Sequence, residues 1–121
     1  MKKKTLFISV ILLIIFSTTA CSSQSDYAFN IELNLKKNGE STLSTLTKYT
    51  IGEIDDVYCT DVENNGSKYI IKCDVEYYPQ RYNGTTALDS KYEETIYASY
   101  CKTTDMVSYR SSLSEVQNLS C

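Results

Sequence analysis

The sequence predicts a mainly β domain, a small antiparallel meander with a short C-terminal helix and two disulfides. Three observations predict this fold class. Apolar and polar residues alternate along several segments, as they do in strands with one buried face. Asparagine–glycine turn signals separate these segments. The chain also contains cysteines at 59, 73, 101 and 121, an even number that can pair.

The first predicted strand covers residues 27–35, where large apolar side chains alternate with small or polar ones. Residues 37–40, Lys-Asn-Gly-Glu, give a hairpin signal. Residues 41–51 are rich in β-branched side chains and would form the return strand. Leu43 and Leu46 are also spaced as on a helix, so a helix is the alternative there.

The middle of the chain predicts two further strands. Residues 54–61 form the first, and the turn Asn64-Asn65-Gly66 follows it. The second strand is the clearest in the chain, with alternate apolar residues on one face: Tyr69, Ile71, Cys73, Val75 and Tyr77. Pro79 has no N–H for a ladder, so it would end this strand or mark an edge.

The last third predicts one more strand and one helix. Asn83-Gly84 is a turn signal, and residues 91–101 favour a strand. A helix is the alternative, because four residues recur at every fourth position: Leu88, Tyr92, Ile96 and Tyr100. Residues 112–115, Ser-Leu-Ser-Glu, match a capping box, which predicts a short C-terminal helix. Its apolar face would comprise Leu113, Val116 and Leu119.

The cysteine spacing favours one disulfide pairing among three. The 64–66 turn lies midway between Cys59 and Cys73, so folding there brings these two nearly opposite each other. Cys101 would then pair with Cys121. Four buried free thiols are the alternative. A zinc site fits poorly, because spacings of 14, 28 and 20 residues contain no C-x-x-C unit.

Residues 1–20 have the three parts of a secretory signal peptide. Three lysines at 2–4 give a positive n-region, residues 6–16 are apolar except for Ser9, and small residues at 17–20 precede Cys21. As a helix, this run of 11 residues spans only ~16 Å, whereas a bilayer core measures about 30 Å. A cleaved signal is therefore predicted rather than a membrane span.

Residues 18–21, Thr-Thr-Ala-Cys, resemble the lipobox of bacterial lipoproteins. The resemblance implies a diacylglyceryl group on the Cys21 thiol, cleavage before Cys21 and often an acyl chain, such as palmitate, on the freed amine. That family favours Leu where Thr18 stands, so cleavage after Ala20 without a lipid is the alternative. The total of five cysteines favours the lipid, because modifying one leaves four to pair.

The predicted organisation therefore has three parts: a signal peptide in residues 1–20, the lipidated cysteine and a flexible tether in 21–26, and one β-rich domain in 27–121. Two acyl chains hold a protein to a membrane, whereas one does so only marginally. The domain would sit on the exported side of the cell membrane. In a cell with two membranes, Ser22 resembles the residue that directs lipoproteins to the outer one.

Charge and composition argue against several function classes. Without the three leader lysines, the 12 basic residues become 9 against 15 acidic ones, a net charge of −6. Such a domain suits neither nucleic acid nor anionic lipid. The chain has no histidine, which removes Ser-His and Cys-His nucleophilic systems and the usual general base. We expect no cofactor.

Paired carboxylates are the remaining catalytic candidates. Asp55-Asp56 and Glu93-Glu94 are adjacent in sequence, so on strands their side chains point to opposite faces. A small carboxylate-based hydrolase, with two acids converging in a pocket, is therefore a minor alternative. The segment from Asp61 to Gly66 begins like a calcium loop, but Lys72 stands where the bidentate glutamate is needed. A hairpin turn is predicted there, and no metal site.

The 11 tyrosines indicate a recognition surface or cross-strand pairs. In the dense segment 77–82, Tyr77 should face the core, which leaves Tyr78, Arg81 and Tyr82 as a candidate recognition patch. We expect a lipid-anchored, non-catalytic envelope protein that binds or masks an envelope or extracellular protein. The alternative is a structural subunit of an envelope assembly, which a long uncovered sheet edge would favour.

Overall fold

The structure, a computed structural model, describes residues 24–121. Its elements in chain order are α1 (Asp26–Asn38), α2 (Glu40–Ser44), β1 (Ile51–Asn64), β2 (Lys68–Pro79), β3 (Tyr92–Cys101), β4 (Met106–Arg110) and α3 (Leu113–Gln117). The strands form one antiparallel sheet in the order β1-β2-β3-β4. The predicted mainly β meander with a short C-terminal helix is thus confirmed.

The strand predicted for residues 27–35 is wrong, because this segment lies in α1. Ser25 begins the helix as N-cap, and its Oγ accepts from the N–H of Ala28 at 3.1 Å. Helical spacing buries Ala28, Ile31 and Leu35 against the sheet. The alternation that predicted a strand is still present in the sequence. In the helix, however, it leaves Phe29 and Leu33 each 46% exposed.

The predicted hairpin at 37–40 and return strand at 41–51 are also wrong. Gly39 joins two helices instead, and a Cβ there would lie 2.4 Å from the carbonyl oxygen of Leu35. A glycine is needed for that close approach rather than for a hairpin. The helical alternative is correct for residues 40–44, where Leu43 is fully buried. The first strand begins only at Ile51.

The hairpin predicted in the middle of the chain is confirmed. β1 extends the predicted strand in both directions, and Gly66 occupies the turn with φ at 94°. The predicted face of β2 is the buried one, and the strand ends at Pro79. Cys59 lies opposite Cys73 and bonds to it, and Cys101 bonds to Cys121. Both predicted disulfides are therefore confirmed.

β3 confirms the strand predicted for 91–101 and excludes the helix. A spacing of four residues is even, so it places side chains on one face of a strand as well as of a helix. β4 was not predicted, because its five residues are too short to show a pattern. The helix predicted from the capping-box pattern is present as α3. The side chain of its N-cap, Ser112, makes no hydrogen bond to the helix backbone, and its Oγ donates instead to Glu115 Oε1 at 2.8 Å.

The core lies between the two N-terminal helices and one face of the sheet, called here the helix face. It is built from buried residues of α1, α2 and the first three strands. They are Ala28, Ile31, Leu35, Leu43, Ile51, Val57, Cys59, Ile71, Cys73, Val75, Tyr77, Ile96 and Ala98. The central disulfide is thus part of the apolar core, whereas Cys121 is exposed.

The opposite face of the sheet is closed at one end by α3. Lys68 is buried there, and its Nζ donates to the carbonyl oxygens of Val116, Gln117 and Leu119 at 3.1, 3.1 and 2.7 Å. An ammonium group is well placed at a helix C-terminus, where carbonyls lack helical partners. Together with the bond to Cys121, this lysine fixes the C-terminal segment on the sheet.

Three residues assigned to the tether belong to the folded domain. The side chain of Gln24 donates to the carbonyl oxygen of Cys59 at 2.7 Å. Ser25 donates through its N–H and its Oγ to Asp61, at 2.7 and 2.8 Å. Asp26 begins α1. The predicted signal peptide and the predicted lipid-attachment residue Cys21 lie outside the described residues. Within residues 24–121 no helix is long and apolar enough to span a membrane.

Candidate functional site

α1 leaves a cleft of about 450 Å³ beside it, above β3 and β4. The helix packs against β1, so the β4 side of the helix face stays partly open. We call this space the tyrosine cleft. Its lining residues come from α1, β3, β4 and the turn before β4: Tyr27, Asn30, Ile31, Asn34, Tyr100, Asp105, Val107 and Tyr109.

One flank of α1 forms the wall of the tyrosine cleft. Asn30 and Asn34 are exposed and four positions apart, which places them one above the other on the helix surface. Tyr27 lies near the start of the same flank. Ile31 lies between this flank and the residues of α1 that are buried against the sheet. The wall therefore presents two amides between a phenol and an aliphatic side chain.

The floor of the cleft comes from the last two strands. Tyr100 of β3 pairs with Val107 of β4, and Ala98 pairs with Tyr109. Because alternate residues of a strand share a face, all of these side chains lie on the helix face. Ala98 is buried beneath α1, whereas Tyr100, Val107 and Tyr109 are half-buried. The floor is thus aromatic and aliphatic but reaches solvent.

Ring contacts fix the tyrosines at one end of the cleft. The rings of Tyr27 and Tyr100 are stacked with centroids 4.6 Å apart, and Tyr69 meets Tyr27 edge-on at 4.7 Å. The Nζ of Lys102 lies 5.1 Å from the centroid of the Tyr69 ring. Such contacts favour one arrangement of the rings. A ligand would therefore meet a preformed surface.

Asp105 provides the one carboxylate among the lining residues of the tyrosine cleft. It lies in the β3–β4 turn with φ at 57°, a conformation that aspartate tolerates better than most residues. Its N–H donates to the carbonyl oxygen of Cys101 at 2.7 Å, and its carboxylate accepts from the hydroxyl of Tyr100. The turn thus holds the carboxylate against the tyrosine floor.

The phenols of the floor are neutral at physiological pH. The hydrogen bond to Asp105, followed by desolvation, raises the pKa of Tyr100 to about 12. Burial raises the pKa of Tyr109 above its usual value. Both hydroxyls therefore keep their protons, and Tyr100 is a hydrogen-bond donor. Asp105 contributes the formal charge of the lining, and it is negative.

The predicted recognition patch lies away from the tyrosine cleft. Tyr78 is half-buried near the end of β2, Arg81 pairs with Asp89 at 3.0 Å, and Tyr82 is fully exposed. These residues lie at or just beyond one end of β2, whereas Tyr69, whose ring contacts a tyrosine of the cleft, lies near the other end. The structure does not bring them into the cleft, and binding by this patch stays a prediction.

Three of the four carboxylates in the two acidic doublets are exposed, whereas Glu94 is half-buried. Asp55 pairs with Lys91 and Asp56 with Lys36, both at 3.2 Å. Glu93 is exposed. Glu94 lies on the helix face, where it accepts from the hydroxyl of Tyr77 and from the N–H of Lys48 at 3.0 Å.

The segment that begins like a calcium loop serves two structural purposes. Asp61 accepts the hydrogen bonds from Ser25 that hold the start of α1. Asn64 and Asn65 close the β1–β2 turn, because their side-chain oxygens accept from the N–H groups of Gly66 and Lys68. Within residues 24–121, no three potential ligands among His, Cys, Asp and Glu are grouped to hold a metal.

Sequence reasoning missed the tyrosine cleft because it placed residues 27–35 on a strand. On a strand, Tyr27 and Asn30 would lie on opposite faces, whereas the helix brings them to one flank. The helical spacing of Asn30 and Asn34 is the signal that could have found the wall. The floor depends on β4, which has no sequence signature of its own.

Comparison with known proteins assigns no function to this arrangement. No protein-family model matches the sequence, and no curated protein or solved structure matches it significantly. The chemistry of the tyrosine cleft must therefore be inferred from its own residues.

Proposed function

We propose that this chain is a lipid-anchored, non-catalytic binding module on the exported side of a bacterial membrane. Its ligand binds in the tyrosine cleft. The observation that carries the proposal is the cleft itself, a concave surface of about 450 Å³ with preformed tyrosine rings and exposed amides. Binding sites for small molecules have this size, a mainly apolar lining and a few polar groups.

The position of the N-terminus supports an anchor close to the domain. Gln24 and Ser25 are bonded to β1, so the folded domain begins there. Cys21 precedes Gln24 by three residues, which span at most about 11 Å. A lipid on Cys21 would therefore hold the start of α1 near the membrane surface.

The lining chemistry favours binding over catalysis. Acid–base catalysis by carboxylates needs two groups that converge on a substrate. The tyrosine cleft holds Asp105, whose carboxylate is engaged by Tyr100. Glu94, which shares β3 with Tyr100, is committed to Tyr77 and to the backbone of Lys48. These contacts favour a site that recognises a ligand without transforming it.

The edge of β1 argues against assembly by strand addition, the alternative function. This edge strand carries five acidic residues, Glu53, Asp55, Asp56, Asp61 and Glu63, and three register shifts. Charges and bulges both impede edge-to-edge pairing. The outward N–H of Cys59 donates to Glu32 at 2.9 Å, and its carbonyl accepts from Gln24. The middle of the edge is therefore already covered by the α1 segment.

The anchor is tested by intact mass of the protein purified from membranes of its native host without reductant. We expect a chain that begins at Cys21, carries a lipid-sized addition and lacks four hydrogens for two disulfides. Cys21→Ser should release the protein from the membrane fraction. An unlipidated wild-type chain would contradict the anchor but not the cleft.

Binding in the cleft is tested in intact cells with a photo-crosslinking amino acid at position 34. Position 33 is a matched control, because it is the neighbouring exposed residue of α1 on another flank. Position 82 tests the candidate patch. We expect the crosslinker at position 34 to form an adduct with a molecule of the cell envelope, and the crosslinker at position 33 to form none. Equal adducts at 33 and 34, or none at 34, would contradict binding in the cleft.

A further inference from the structure

We infer that the ligand of the tyrosine cleft is a neutral oligosaccharide. This inference rests on the proposed binding function and names its ligand class. It follows from the combination of aromatic faces, paired amides and a lining without cationic side chains. Each of these features restricts the ligand, and the following contacts carry the restriction.

The apolar part of the lining consists of aromatic and aliphatic side chains. Tyr109 and Val107 lie on the floor, half-buried, and Ile31 borders the wall. A sugar ring has faces made of C–H groups that pack against such surfaces, and phenols combine this packing with a hydroxyl that can hydrogen-bond. A volume of about 450 Å³ lies within the ~300–1,000 Å³ typical of small-molecule sites. This volume can accommodate a short oligosaccharide segment.

The polar part of the lining matches a ligand with many hydroxyls. Asn30 and Asn34 are exposed and stacked one turn apart on α1, and each amide offers one acceptor oxygen and two N–H donors. A hydroxyl both donates and accepts, so neighbouring sugar hydroxyls can satisfy both functions of an amide. Asp105 adds an acceptor at the end of the cleft. An acyl chain could not satisfy these three side chains and would leave them desolvated at a cost.

The charge of the site disfavours anions. The lining contains Asp105 and no lysine or arginine, and the chain after the leader carries −6. A phosphate, sulfate or carboxylate ligand would be repelled by Asp105 and would find no cationic side chain in the lining to pair with. The ligand class is therefore neutral or cationic.

The ring geometry favours the neutral class over an organic cation. An aromatic cage for a cation turns several ring faces toward one point. Here Tyr27 and Tyr100 are stacked face to face at 4.6 Å with an angle of 27° between their planes, so each covers one face of the other. Asp105 already accepts a hydrogen bond from Tyr100. The stacked tyrosines therefore do not form an aromatic cage around a cation.

The inference is tested by calorimetric titration of the full mature protein in a polyoxyethylene detergent, which carries no sugar. The neutral probes are tetra-N-acetylchitotetraose, cellotetraose and maltotetraose, and the other probes are tetramethylammonium, a hexalysine peptide and inorganic phosphate. We expect at least one tetrasaccharide to bind with a Kd between about 1 μM and 1 mM. The three charged probes should not bind.

Variants place the binding in the cleft. Asn34→Ala should weaken the tetrasaccharide about tenfold, because the amide loses its hydroxyl partners. Tyr109→Phe removes one hydroxyl from the floor and keeps the ring, so it tests the role of that hydroxyl without opening a cavity. The matched controls are Leu33→Ala on α1 and Tyr82→Ala at the candidate patch, and both should leave the Kd within twofold. Circular dichroism of each variant verifies the fold.

The outcomes separate this inference from the proposed function. A charged probe that binds in place of the sugars, and is weakened by Asn34→Ala, overturns the saccharide class and leaves the cleft as a binding site. If no probe binds but position 34 forms a crosslink in cells, the saccharide class is likewise overturned and the cleft remains a binding site. No binding and no crosslink overturn both. A sugar that binds equally to all variants overturns the location.

Discussion

The two flanks of α1 belong to one helix but are built differently. On the flank toward β1, Leu35 is 2% exposed and the carboxylate of Glu32 is tied to the N–H of Cys59. On the flank toward β4, Asn30 and Asn34 face the open tyrosine cleft. We call the first region the closed half and the second the open half. One helix thus both covers the core and forms the wall of the tyrosine cleft.

The closed half contains the apolar core of the domain. Its core holds the central disulfide, with both cysteines fully buried, and an unbroken set of apolar side chains. Edge groups of Cys59, which cannot bond to β2, are satisfied by Glu32 and Gln24. Such complete burial and pairing leave no surface for a ligand on this flank of α1, so the binding site that we propose lies in the open half.

Loss of the central disulfide should have the largest effect on stability. The double variant Cys59→Ala with Cys73→Ala opens a loop of 14 residues and removes buried sulfur atoms, at a cost of about 4 kcal/mol in the free energy of unfolding. Urea unfolding measures it. Cys101→Ala with Cys121→Ala is the matched control and should cost less, about 3 kcal/mol, because Cys121 is exposed and Lys68 still holds the C-terminal segment. A larger cost for this outer pair would contradict the assignment of stability to the closed half.

A core truncation on α1 should distinguish the two halves next. Leu35→Ala leaves a cavity in the closed half and should lower the free energy of unfolding by about 3 kcal/mol. Val107→Ala truncates a half-buried floor residue of the open half and should cost about 1 kcal/mol. Chemical denaturation of both variants, beside the wild type, measures the difference. Equal costs would mean that the open half is packed as tightly as the core.

The sequence contained enough information for the meander but not for α1. Alternation along β2, the turn at Gly66 and the cysteine spacing are local, and the structure confirms all three. Residues 27–35 satisfy a strand and a helix pattern together. The choice between helix and strand for this segment depends on its tertiary contacts. As a helix, it packs its apolar residues against the sheet face that later residues form. No window of nine residues contains that information.

Alkaline pH should produce the smallest effect and sharpen the comparison through two tyrosines. Burial, and then the hydrogen bond to Glu94, raises the pKa of Tyr77 to about 12, and the bond to Asp105 raises that of Tyr100 to about 12. An unfolded tyrosine titrates near 10. The unfolded state therefore loses protons first, and the stability from both groups, complete below pH 10, falls as the pH rises toward 12.

Tyr77→Phe and Tyr100→Phe separate these contributions. Unfolding followed between pH 8 and 12 should show a shallower alkaline loss for Tyr77→Phe, because Tyr77 is fully buried in the closed half. At pH 8 this variant should cost about 1 kcal/mol or less. Tyr100 lies in the open half, where solvent screens its interactions, so Tyr100→Phe should change the profile less. The reverse order would contradict the division into halves.

The sequence by itself determined the elements whose signals are local: the strands β1 to β3, their turns, both disulfides and α3. It also set the charge and composition, which argue against histidine chemistry and nucleic acid. Tertiary structure alone decided that α1 is a helix and that it covers β1 more fully than β4. The tyrosine cleft exists because of that offset. It joins residues of α1 to residues of β4 that lie more than 70 positions later, and only packing brings such distant side chains together.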